Sequence, residues 1–120
     1  MQYLLSLWME EMPMNDLPEE QVREMMAPWF EYNEALKSAG VYVSGDQLTP
    51  SASATSISTA TGERVVTDGP FAETKEQMMG YYQIEVPDLD AALDWAAKVP
   101  SAAYGTVEVR AVVDNSSQGA

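Results

Sequence analysis

Apolar residues run nearly unbroken through residues 2–9 (QYLLSLWM), the pattern of a strand that is central in a sheet or covered on both faces. Met12-Pro13-Met14-Asn15 reads as a loop. Asp16 has the place and chemistry of a helix N-cap, with Glu19 three residues on as its capping-box partner, and Pro18 is tolerated in a first helical turn. Val22, Met25, Met26, Trp29, Phe30, Asn33 and Leu36 then recur at helical spacing, so one helix face is expected to turn inward. Pro28 removes the bond to the carbonyl of Glu24, which predicts a kink near residues 24–28. Gly40 is placed to end this helix in the left-handed conformation.

Val41-Tyr42-Val43-Ser44 predicts a second strand, with Gly45-Asp46 as a bulge. Residues 53–66 place Ser, Ala and Thr around Ile57, with a turn at Thr61-Gly62, and read as a surface hairpin with little core of its own. From Met78 to Val86 the chain alternates: Tyr82, Ile84 and Val86 on one face, Tyr81, Gln83 and Glu85 on the other. Pro87 stops that strand, and Asp88 caps a second helix with Asp90 near its positive end. Leu89, Ala92, Leu93 and Ala96 are the expected apolar stripe, and Pro100 ends the helix. In the last strand, 105–113, Val107, Val109, Ala111 and Val113 oppose Thr106, Glu108, Arg110 and Val112.

Strand, helix, strand, repeated after an inserted hairpin, predicts an α+β fold: a ferredoxin-like split-βαβ sandwich. Residues 1–113 are expected to be one domain, with 114–120 as a flexible C-terminal tail. The helices should cover the sheet face that carries Ile84, Val86, Val107 and Val109. The other face mixes Tyr81, Gln83, Glu85, Glu108 and Arg110 with apolar residues of the first strand. Such a surface suits a pocket or a partner, and an isologous homodimer with facing sheets is the economical arrangement.

Composition narrows the chemistry. The 120 residues hold no cysteine and no histidine, which removes disulfides, thiol chemistry and the commonest general base and metal ligand near neutral pH. The formal net charge is −13, and the six Lys and Arg are scattered, which argues against direct nucleic-acid binding and against anionic membranes. The first segment is short, lacks a basic flank and is closed by Glu10-Glu11, so it reads as neither a signal peptide nor a membrane span. A cytoplasmic location is expected. Asp88, Asp90 and Asp94 belong to a helix start and its exposed side, and no calcium- or zinc-type spacing is present, so no metal or other cofactor is implied.

The densest motif is Thr67-Asp68-Gly69-Pro70-Phe71-Ala72-Glu73-Thr74-Lys75-Glu76, followed by Gly80-Tyr81-Tyr82-Gln83-Ile84-Glu85-Val86, the helix around Ala91–Ala96, and Gly105-Thr106-Val107-Glu108-Val109-Arg110. In this run and the blocks after it, the chain resembles the DGPF branch of the YCII-related family. The resemblance covers nearly the whole chain. It implies a dimeric α+β barrel, a largely unassigned biochemical role, and an association of some members with sigma-factor-type transcription regulators. A His–Asp pair is proposed as the active site in the wider family. Here the histidine is missing, and Asp68 alone matches the acidic motif position.

The candidate site residues follow. Asp68 is the catalytic candidate, a general acid or base at a pocket mouth; Asp-Gly-Pro is also a complete turn chemistry without any ligand. Arg110 can grip a carboxylate with two donors, or pair with Glu85 across strands. Tyr81 can donate a hydrogen bond to a ligand, Glu85 shares its face, and Lys75 can clamp an anion or form an exposed pair with a neighbouring carboxylate. Two functions are open: a binder or enzyme for a small molecule in the barrel cleft, and a non-catalytic interaction module working with a transcription regulator. The residues leave open whether a reaction is catalysed.

Overall fold

The computed structural model describes residues 1–11 and 17–114. The loop at 12–15, the Asp16 cap and the fraying of 115–120 lie outside them. Among the described residues, six strands and two main helices follow in the order β1 (Gln2–Met9), α1 (Glu19–Ser38), β2 (Tyr42–Gln47), β3 (Thr55–Ser58), β4 (Val65–Asp68), β5 (Gln77–Glu85), α2 (Leu89–Ala97) and β6 (Thr106–Ala111), with 3-10 turns at Ser51–Ser53 and Pro100–Ala103. Four strands form one antiparallel sheet in the order β2-β5-β1-β6, and among the described residues β3 and β4 pair only with each other. Strands β1 and β2 are both antiparallel to β5 and flank it, so each βαβ unit is split by a strand of the other.

The sheet has one covered face. Strand pairing puts Tyr3 opposite Ile84, Leu5 opposite Tyr82 and Val109, and Leu7 opposite Gly80 and Val107. These side chains meet Tyr32 and Leu36 of α1 and Ala92, Ala96 and Val99 of the α2 region in one core. Leu5, Leu36 and Ile84 are fully buried, each stabilising the fold by roughly 1.5–3 kcal/mol relative to exposure. The Tyr32 ring meets Tyr82 edge-on at 5.2 Å and Trp95 at 6.2 Å, and its hydroxyl donates to the Trp95 carbonyl at 2.9 Å, locking α1 to α2. The molecule is only 19 Å through its thinnest axis, the depth of one sheet and one helix layer.

The helices follow the expected periodicity with shifts. Helix α1 begins at Glu19 with Pro18 as N-cap and no side-chain cap bond, so Glu19 opens the helix and does not close a capping box. It continues through Pro28. Its inward residues are Tyr32 and Leu36, while Phe30 is 67% exposed, because the buried stripe lies on the Tyr32 side of the expected one. Gly40 has φ +72°, and the amides of Gly40 and Val41 bond back to the carbonyls of Lys37 and Leu36, a Schellman closure. In α2 the buried positions are Ala92 and Ala96, followed by Val99; Leu89 and Leu93 are about half exposed, so the stripe is rotated from the one expected. Asp88 caps α2 as expected, accepting from the Ala91 amide at 2.9 Å. Strand β2 runs on to Gln47, with its irregularity at Val43 instead of Gly45-Asp46.

Candidate functional site

The helix-free face of the sheet is where the candidate residues gather. Side chains directly opposite on neighbouring strands share a face. One row therefore runs Asp46, Tyr81, Ser6, Glu108, and the next runs Ser44, Gln83, Leu4, Arg110. Glu85 stands opposite Gln2 and Trp8 opposite Thr106, on the same face. Leu4, Trp8, Met78 and Tyr81 are half-buried there although no helix covers them.

Several of these groups are fixed in place. The Tyr81 hydroxyl donates to Asp46 Oδ2 at 2.9 Å; that hydrogen bond, and then the Asp46 charge, hold the phenol proton and raise its pKa above the ordinary value. The Trp8 indole N–H donates to Ser6 Oγ at 3.0 Å, which sets the ring along the sheet. Gln83 donates to the Gln2 side chain at 2.5 Å. Gly105 explains how the face ends: a Cβ there would strike the Trp8 carbonyl oxygen, so only glycine lets the chain entering β6 come this close to β1.

A cleft of about 620 Å³ opens beside this face, lined by Trp8, Glu10, Thr74, Lys75, Glu76, Thr106 and Glu108. Thr106 Oγ1 donates to Glu76 Oε1 at 3.1 Å, and Lys75 Nζ lies 3.1 Å from Glu10 Oε1. A second cleft of about 680 Å³ shares Glu10, Thr74 and Lys75 and continues to Glu11, Ser51, Gly69, Pro70 and Glu73. There the Ser51 hydroxyl and amide both donate to the Glu11 carboxylate and hold its pKa below the usual range.

The structure sorts the sequence-based candidates. Tyr81, Glu85 and Arg110 share the helix-free face. Glu85 and Arg110 do not pair, because β1 stands between their strands. Lys75 lines both clefts, and its one ion pair among the described residues is the exposed one with Glu10. Asp68 is the exposed last residue of β4, opposite Thr55, and lines neither cleft. The turn after it is made by Gly69, at φ +100°, whose amide donates to the Ala54 carbonyl at 2.6 Å. Among the described residues, the Asp68 carboxylate accepts no hydrogen bond. Sequence reading missed Asp46 as the partner of Tyr81, and Glu10, Glu76 and Thr106 as cleft residues. Thr106 and Glu76 could have been found, one by alternation with Arg110 and the other from its place in the densest motif. The Lys75–Glu10 pair joins loops far apart in sequence, and no local pattern announces it.

A profile of the YCII-related domain matches residues 1–116. The chain belongs to the YCII-related family. It is also 40% identical over 94 residues to an uncharacterised protein of Rhizobium meliloti (strain 1021), an alignment spanning 77% of this chain and 73% of that one. Among the described residues of this YCII-related protein, no helix is long and apolar enough to cross a membrane. Nor do three or more His, Cys, Asp or Glu side chains among them gather into a group that could hold a metal ion.

Proposed function

We propose that this YCII-related protein, of the DGPF branch, binds a small carboxylate-bearing molecule between its helix-free sheet face and the same face of a second copy, in a dimeric α+β barrel. One observation carries this reading: the face left bare by the helices holds half-buried Leu4 directly opposite Arg110, with half-buried Tyr81 and Trp8 on the same face and Trp8 lining an open cleft. Apolar and aromatic surface with a few fixed polar groups is the usual composition of a ligand site.

Arg110 is the anchor in this account, since a guanidinium offers a planar fork to a carboxylate. Tyr81, oriented by Asp46, supplies an acceptor and an aromatic edge, and Trp8 supplies a flat apolar floor. A reaction of the bound molecule would draw on Tyr81 and on Asp68, carried to the cleft by the hairpin of a second copy. A thermal-shift and calorimetric screen with planar aromatic carboxylates tests the reading. Binding that falls at least tenfold in Arg110→Ala supports it. Binding unmoved by Arg110→Ala and Trp8→Ala together, or absent across the panel, contradicts it.

A further inference from the structure

We propose that the β3–β4 hairpin is an arm that packs its Ile57–Val66 face on a second copy of the chain. The inference rests on the dimer reading above and adds a surface that reading does not require.

Among the described residues, the hairpin has nothing of its own to pack on. Its strands pair only with each other, and every residue of β4 is exposed. Ile57 lies opposite Val66, so both share one face, yet they are 59% and 52% exposed. Phe71, just past the hairpin's base, is 95% exposed. A two-stranded ribbon of four-residue strands is marginal in water by itself, and a paired Ile and Val exposed on one of its faces call for cover.

Charge selects the occupant. The chain carries a net −13, so two copies repel over most of their surface. Residues 47–62 hold no charged side chain at all, and Glu63 and Arg64 cancel one another. Asp68 at the end of β4 is then the hairpin's one uncompensated charge, so this is the stretch on which a second acidic chain settles with the least added repulsion.

The test uses the absence of cysteine from the sequence. An Ile57→Cys variant carries one thiol, to which a benzophenone photo-cross-linker is attached, and unlabelled and ¹⁵N-labelled chains are mixed before irradiation. Cross-linked peptides of mixed isotope are expected. In parallel, sedimentation equilibrium of the Ile57→Asp/Val66→Asp double variant should give a dimer dissociation constant raised at least tenfold, with the far-ultraviolet circular dichroism unchanged. A wild-type dimer whose constant is unmoved by the double variant, with cross-links confined to one chain, overturns the arm and leaves the sheet-to-sheet dimer standing. A wild-type monomer at every concentration overturns both.

Discussion

Burial governs the tyrosines of the core. Desolvation pushes the Tyr82 phenol up to about 12, and pushes Tyr32, seated between Tyr82 and Trp95, further in the same direction. An unfolded tyrosine titrates near about 10. Both folded values are raised, so the stabilisation is complete below pH ~10 and is lost as pH climbs from there through about 12. Tyr82→Phe should flatten that alkaline loss, read from denaturation midpoints between pH 8 and 12. Asp68→Asn belongs to the other extreme: the side chain is exposed and unbonded among the described residues, so chemical denaturation should move by no more than about 0.5 kcal/mol. A larger loss would mean that Asp68 holds the turn after all. Gly105→Ala should destabilise by roughly 1–3 kcal/mol, since the added methyl meets the Trp8 carbonyl and must part β1 from β6.

Among the elements, what was legible in the sequence is what local patterning specifies. Strand β5 alternates cleanly, and Tyr82, Ile84 and Val86 are buried as alternation requires. Asp88 announces α2 by chemistry alone. Asp88→Ala should therefore cost about 1 kcal/mol in thermal or chemical denaturation, the usual loss when a side-chain cap is removed. Helix phase was less legible. Phe30, Leu89 and Leu93 fit an apolar stripe, but the sheet selects which side of each helix it meets, and Tyr32, with one hydroxyl to satisfy, took the inward place in α1. The hairpin was legible as a surface element because its composition offers no core. The Glu10–Lys75 and Glu11–Ser51 contacts were not, because they depend on where the segments after β1, after β2 and before β5 come to rest.

At the level of the whole molecule, element order alone led to a split-βαβ arrangement, which the strand order β2-β5-β1-β6 bears out, and to the division into a covered and a bare face. That division organises the candidate site: Tyr81, Glu85 and Arg110 share the bare face by register, Lys75 belongs to the adjoining clefts, and Asp68 stands apart on the hairpin. A layer of helices on one side leaves Leu4 and Trp8 half-buried with no covering layer among the described residues. The proposed second chain would lie across that face. Small-angle scattering of the wild type and of Leu4→Glu tests it directly. The predicted result is a wild-type mass twice the 13.2 kDa of one chain, falling to the single-chain mass when the glutamate enters the centre of the bare face. A wild-type mass of one chain, or a dimer indifferent to Leu4→Glu, would contradict it.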